Sequence, residues 1–449
     1  MMASQTTLEK KFQEFEEARE APQSSRPKIQ KVVKHLRNRN DFEKHFSPKY
    51  VSIGPIHHDN QNLRLGQSYK LTWAANYFQH ILQTPEFLHR KIADNIYELM
   101  SHYTDDVLAD TAVSLQGFSS LEEKLSWVLF VDGCFLLNIL RSIDPNRLNN
   151  ENEVNMKVDQ LVLVMKDVLL LENQLPYLVL KLLWHNDSEE ELIDTMINFL
   201  SCYRWTSPVN KRTWWSSGFH EILLNAPPTH LLDFQRKMIL TKSNPKMEAN
   251  NEDMHWREEF FYIESKMMTH RNIQDLTAGG IKLKSSGTRR TTDVGFSEGP
   301  FAAELTLPEI IVDDSTATSF LNLIAYEMCP DFENDFGICS FMVFMDSLID
   351  SGEDVRILRS HGILSNLLGK DEQVADLFNT ISTDLVYNTT TYFEVRDKIH
   401  KHRFNKYKMW LVLGYQKYFS NPWAVIGFIA GSVALVLTFA QTWFTIFPR

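Results

Sequence analysis

VDQLVLVMKDVLLLENQLPYLVLKLLW (residues 158–184) is the stretch on which the fold turns. It is apolar enough to invite a membrane span, but Asp159, Lys166, Asp167, Glu172 and Lys181 interrupt it too regularly. A buried helical hairpin fits better, broken near Pro176, where the ring removes a backbone donor. Glu172, Asn173 and Gln174 are consecutive polar residues just ahead of that break. Their structural use is to satisfy backbone groups freed where the helix stops. A ligand pocket at the same place is the functional alternative.

Upstream, EEKLSWVLFVDGCFLLNILRSI (122–143) predicts one strongly apolar helix with Gly133 inside it, and helical patterning covers about Leu63 to Leu200. Residues 26–40, RPKIQKVVKHLRNRN, place Ile29, Val32, Val33 and Leu36 at helical spacing beneath a basic face. That face suits phosphate or lipid, or simply solvent, and apolar spacing alone already explains the apolar residues. Downstream, the polar, Pro-punctuated region of about 205–255 predicts loops. A small β-containing insertion follows at about 279–316, with strands expected at Ile281–Lys284, Thr291–Phe296 and Ala303–Val312. Helices resume from Ala317 to Tyr415. The expected architecture is mainly α: a loosely ordered acidic segment (1–25), a large helical body (26–415) and an apolar helix at 423–447.

That last helix, WAVIGFIAGSVALVLTFAQTWFTIF, lies in a stretch without charge between Lys417 and Arg449. At about 1.5 Å per residue it reaches about 37 Å, enough to cross a hydrocarbon core. Trp423 and Trp443 stand near its two ends, as interfacial anchors do. Lys401, Arg403, Lys406, Lys408 and Lys417 precede it and only Arg449 follows. The positive-inside rule then puts the body in the cytosol, and the first residues carry no apolar secretory segment. The expected setting is a single-pass membrane protein, with a span compatible with the plasma membrane. Inverted topology stays open, and the sequons Asn186-Asp187-Ser188 and Asn388-Thr389-Thr390 would matter there.

The chain has 449 residues, 43 % of them hydrophobic, which allows one large domain or two ordinary ones. A net charge of −11 argues against nucleic acid as a partner. Cys134, Cys202, Cys329 and Cys339 form no C-x-x-C pair, which fits a reducing compartment and argues against metal binding through thiols.

Catalytic spacing is scarce. No G-x-S-x-G, H-E-x-x-H or G-x-G-x-x-G occurs. GILSNLLGK (362–370) is a poor P-loop, because Asp371 stands where magnesium needs a hydroxyl. Cys134 lies inside an apolar helix, where a thiol is usually inert. Asp346, Asp350 and Asp354 are spaced by single helical turns and read as a solvated acidic face. PKYVSIGPIHHD (48–59) gives a short β-type run, a Gly54-Pro55 turn and the adjacent His57 and His58. Adjacent histidines point apart on a regular element, so hydrogen bonding at a turn is favoured over metal ligation. No cofactor is implied.

With these motifs laid out, the chain resembles the plant family known as domain of unknown function 247. The residues that carry the resemblance are VSIGPIHH (51–58), FVDGCFLLNIL (130–140), DVLLLENQLPYLVL (167–180), HLLDF (230–234) and IQDLTAGGIKLK (273–284). LPEIIVDDSTATSFLNLIAYE (307–327), FMDSLIDSGEDVRILRSHGIL (344–364) and HRFNKYKMWLVLGYQKYFSNPWA (402–424) complete the string. Ile56, Asp59 and Tyr177 depart from the residues common in that family. The resemblance implies little chemistry, since most members have no assigned activity. Grass members similar to pollen determinants of self-incompatibility imply recognition by protein contact. The expectation is a non-enzymatic, membrane-anchored recognition or signalling protein with a protein partner still to be named. Its rivals are a tethered enzyme whose site assembles only in three dimensions, and an extracellular ligand-recognition domain.

Overall fold

The computed structural model describes residues 8, 11–13, 15–16, 27–37, 41–78, 81, 83–143, 156–185, 188–203, 223, 226–241, 272–299, 303–333, 335–404 and 422–446. Most of the 1–25 segment, most of the 205–255 region, and Lys406 and Lys408 lie outside them. The chain divides into two compact units, and the mainly helical architecture with a small β portion is the one expected.

The first unit comprises Met1–Tyr203, Pro208–Met238 and Ala317–Ile338. In order its helices are α1 (Lys34–Arg37), α2 (Phe42–Phe46), α3 (Arg64–Tyr77), α4 (Pro85–Asp94), α5 (Ile96–Ser101) and α6 (Asp105–Val113). Then follow α7 (Leu121–Ser142), α8 (Val158–Asp167), α9 (Tyr177–Leu183), α10 (Glu189–Leu200) and α11 (Leu231–Leu240). Helix α7 is the axis of the unit. Ser120 caps it by accepting from Glu123 N, and Glu122 and Glu123 complement the dipole in its first turn. Nearly every side chain from Lys124 to Leu140 is buried. Helix α3 packs on it through Trp73, whose ring stacks 5.8 Å from Phe135. Helix α9 comes closest at Gly133, where a Cβ would stand 2.4 Å from Leu183 Cδ1 and 2.8 Å from Val179 Cγ1. The absent side chain is what allows that contact.

Three expectations need correction here. Of the helix foreseen over 26–40, the described residues 27–37 hold only α1, and Ile29 ahead of it lies in a β-bridge with Tyr103. Ile29 N donates to His102 O (2.8 Å) and Ile29 O accepts from Thr104 N (3.2 Å), so that backbone is already paired. Ile29, Val32 and Leu36 are buried all the same. The hairpin break begins at Val168, well ahead of Pro176, and Pro176 precedes α9. The loop-rich middle contains α11, formed because Leu231, Leu232, Phe234 and Met238 all bury.

The second unit comprises Arg204–Ser207, Ile239–Thr316 and Cys339–Arg449. After α12 (Ile273–Ala278) come β1 (Ile281–Ser285), β2 (Gly295–Glu298), β3 (Ala303–Leu307) and β4 (Ile310–Val312). Strand β3 lies between β1, parallel to it, and β2, antiparallel. Helix α13 (Thr316–Glu327) takes the chain into the first unit, and α14 (Gly337–Asp346) takes it back. Then come α15 (Gly352–Ser360), β5 (Leu364–Asn366), α16 (Asp371–Ile381), α17 (Phe393–Phe404) and α18 (Pro422–Ile446). Strand β5, unforeseen, pairs parallel with β4. It occupies the stretch with P-loop-like spacing, which is therefore strand and turn.

The acidic face expected of Asp346, Asp350 and Asp354 does not form. Asp346 ends α14, Asp350 precedes α15, and Asp354 is fully buried. Its carboxylate accepts from Ser351 N (3.0 Å), Asp350 N (3.2 Å) and Gln274 N (3.0 Å).

Helix α18 is long and apolar enough to cross a membrane, and Ile426–Trp443 has none of its side chains buried. Helix α7 passes the same length and composition test but is mostly buried, which makes it a core helix. Trp443 is exposed, Trp423 lies in the first turn of α18, and Arg403 lies at the end of α17.

Candidate functional site

The motif residues of the first unit converge on residues 48–58. From Pro48 to Ile53 the composition is β-type, yet the segment forms no strand and none of the described strands pairs with it. Side chains take the place of one. Asp167, the last residue of α8, accepts from three successive backbone donors: Lys49 N (2.9 Å), Tyr50 N (2.7 Å) and Val51 N (2.9 Å). Burial raises the Asp167 carboxyl above its ordinary range, against the pull of those N–H groups. Asn173 then acts as a neighbouring peptide would: its Oδ1 accepts from Ile53 N (2.6 Å) and its Nδ2 donates to Val51 O (3.1 Å). Asp132, buried in the middle of α7, accepts from Gly54 N (2.8 Å).

Gly54 has φ +76°, and a Cβ there would stand 2.7 Å from Gln174 O, so the turn into Pro55 requires glycine. Gln174 closes the hairpin break. Its Nε2 donates to Val168 O and Leu170 O, both 2.8 Å, and its Oε1 accepts from Leu232 N of α11 (3.0 Å). Asn322 of α13 completes the set, accepting from Leu171 N (2.8 Å) and donating to His45 O (2.8 Å).

Glu172, nearly fully buried, faces the other way. Its Oε1 accepts from Val32 N (2.7 Å) and pairs with Arg37, and its Oε2 lies 3.1 Å from His57 Nε2. Burial opposes ionisation, but the His57 contact, Arg37 and the Val32 N–H together hold the carboxyl below its ordinary range. His58 points elsewhere. Burial lowers its pKa, and the charges it faces are those of Asp132, Lys70, Asp59 and Lys124. Lys70 pairs with Asp132, and Lys124 Nζ lies 3.1 Å from Asp59 Oδ2.

Gly54, Pro55, His57, His58, Glu172, Asn173 and Gln174 are thus brought into one cluster, joined by Asp132, Asp167, Lys70 and Asn322, while Pro176 serves as the residue that opens α9. Lys70 and Asn322 carried no sequence signal of their own. Asp132 did, as a lone acid in the apolar run FVDGCF. Arg403, Trp423 and Trp443 belong to α17 and α18, outside this cluster. Among the described residues no group of three or more His, Cys, Asp or Glu is placed to hold a metal ion. Burial pushes the Cys134 thiol well above its ordinary range, so it is a poor nucleophile.

The chemistry of the cluster is chiefly that of backbone capture. Most of its carboxylate and amide oxygens are committed to N–H groups or cations, which fixes the path of 48–58 against α7 and the α8–α9 break.

Two curated proteins of Arabidopsis thaliana are similar to this chain over most of their length. UPF0481 protein At3g47200 is 26% identical over 423 residues, covering 89% of this chain and 82% of that protein. Putative UPF0481 protein At3g02645 is 21% identical over 491 residues, covering 90% and 87%. No solved structure matches. Residues 29–437 match DUF247, described as a plant protein of unknown function, and that span takes in every residue of the cluster. The chain belongs to this plant family.

Proposed function

We propose that this is a membrane-anchored, non-enzymatic protein that acts by recognising a protein partner, with α18 as its anchor. The observation that carries the reading is the contrast between two helices of similar apolar character. Helix α7 buries its side chains, whereas Ile426–Trp443 exposes Ile426, Phe428, Leu435, Phe439 and Trp443, around the whole helix. Exposure of that much apolar surface is favourable in a bilayer and costly in water. The basic residues before α18 support a cytosolic body, and its length suits a plasma membrane. Recognition is favoured over catalysis because the polar cluster is spent on holding backbone. Self-incompatibility-type recognition is the narrower form of this reading.

The rival enzyme reading draws on the approach of His57 to Glu172, an acid–base pair with His57 partly exposed. Against it, the other Glu172 oxygen is committed to Val32 N–H and Arg37.

Vesicle flotation tests the anchor. The full chain is expected to float with phosphatidylcholine vesicles and to resist carbonate extraction, and a chain lacking 422–446 to stay in the aqueous fraction. Equal behaviour of the two overturns it. Proximity labelling from the intact protein in plant tissue tests partner and orientation together. Recurrent cytosolic protein neighbours are expected, and exclusively lumenal labelling overturns the orientation.

A further inference from the structure

We propose that the histidine turn, residues 55–60, is a proton-sensitive latch in which His58 is the trigger and the loop at residues 114–118 is the moving part. The geometry begins with two ion pairs flanking His58. Lys70 of α3 pairs with Asp132 of α7, and both are buried. Lys124 of α7, also buried, pairs with Asp59, whose side chain is 39% exposed. With His58 neutral, two cations meet two anions and the buried charge balances. The Nδ1 atom of His58 is itself buried, with no hydrogen-bond partner among the described residues.

The loop is fastened to this cluster at few points. Lys124 Nζ donates to Ser114 O (2.5 Å) and, from the preceding helix α6, to Thr111 O (3.4 Å). Gln116 Nε2 donates to Asp59 Oδ1 (2.5 Å). Gln116 has φ +51°, a left-handed conformation that costs a non-glycine residue free energy and persists only while its surroundings impose it. The Asp59 clasp is therefore both the most solvent-exposed part of the cluster and the tether of a strained residue.

Protonation of His58 places a third cation beside Lys70 and Lys124 with two carboxylates to share. Asp132 is held within α7 and already accepts from Gly54 N, whereas Asp59 is the more exposed carboxylate and is held through Lys124 and Gln116. Drawing Asp59 toward the imidazolium, or admitting water beside it, removes the Gln116 tether and lets the strained loop relax. His57, the adjacent residue, faces Glu172 instead and is not part of the trigger. Burial sets the titration below the ordinary histidine range, so the latch is closed at neutral pH and opens on acidification.

Hydrogen exchange of the full chain in detergent, corrected for intrinsic rates between pH 7.5 and pH 5, tests this. Amides of 55–60 and 114–118 are expected to lose at least tenfold in protection on acidification, while the interior of α7 does not. His58→Gln is expected to keep neutral-pH protection and abolish the dependence, and His57→Gln to retain it. Protection in 114–118 that is independent of pH overturns the proposal. So does an unchanged dependence in His58→Gln, which would assign the titration elsewhere. If His58→Gln unfolds, Asp59→Ala serves: it removes both the charge and the oxygen that Gln116 reaches, and 114–118 should then be unprotected at both pH values. Retained protection in that variant also counts against the latch.

Discussion

Asp167 accepts from more backbone N–H groups than any other side chain of the first unit described above. Its two oxygens serve three backbone donors, two of them buried, and removing them leaves the buried pair dry. Each such loss costs about 1–3 kcal/mol, so Asp167→Ala is expected to destabilise the unit by roughly 3–5 kcal/mol in urea unfolding. Asp167→Asn, which keeps one acceptor, should cost visibly less, and equal costs would point to lost charge as the cause. Gly54→Ala joins a left-handed backbone to a clash with Gln174 O, and a loss of about 2 kcal/mol or more is expected. His230 offers a pH prediction. Burial, aided by Lys237 and His102 and opposed by Asp233, lowers its pKa to about 4 from an ordinary 6.5. The unfolded chain binds the extra proton first, so the stability owed to neutral His230 is complete above pH 6.5 and falls away toward pH 4. The stability advantage of the natural chain over His230→Gln should narrow by about 3 kcal/mol across that window, and an advantage that stays flat refutes it.

Among elements, the contact of α7 with α9 leaves no room for a side chain at Gly133. Gly133→Leu would drive a side chain into Leu183 and Val179, and overpacking of this kind costs about 1–3 kcal/mol. The loss should appear in thermal unfolding, and Leu183→Ala in the same chain should recover part of it. Helix α7, strand β1 and the apolar helix α18 could be read from apolar periodicity and turn residues. The strand expected at Thr291–Phe296, by contrast, forms only as β2 (Gly295–Glu298), and the one expected at Ala303–Val312 divides into β3 and β4, which belong to different sheets. Where the local pattern and the final environment disagree, sequence misleads. Ile29, Val32 and Leu36 have helical spacing, yet Ile29 is extended because a distant carbonyl and amide take its backbone. Asp354 looked solvated from its spacing with Asp350, but α15 starts between them and turns it inward as a cap. The candidate site was half legible: LENQLP and GPIHH could be found, while Asp167 and Asn322 owe their roles to pairings 116 to 277 residues apart and Lys70 to its pairing with Asp132 from an ordinary helix position.

For the molecule as a whole, the unusual feature is a first unit assembled from separated pieces of chain. Arg236 near its middle pairs with Glu327 (2.7 Å), and Lys28 N donates to Asp331 (2.6 Å). A fragment ending at Met238 lacks both acids as well as Asn322, and it is expected to lack a cooperative unfolding transition. Addition of a peptide covering 317–338 should restore near-ultraviolet circular dichroism, and a fragment that unfolds cooperatively without it contradicts this account. The same discontinuity has a consequence on the ribosome. Leu171 must wait for Asn322, 151 residues further along, which at about 5–20 residues per second is roughly 8–30 s of translation. Throughout that interval the LENQLP turn has emerged without one of its fixed partners. The nascent chain therefore offers chaperones a long window in which its most apolar hairpin is synthesised but not yet locked.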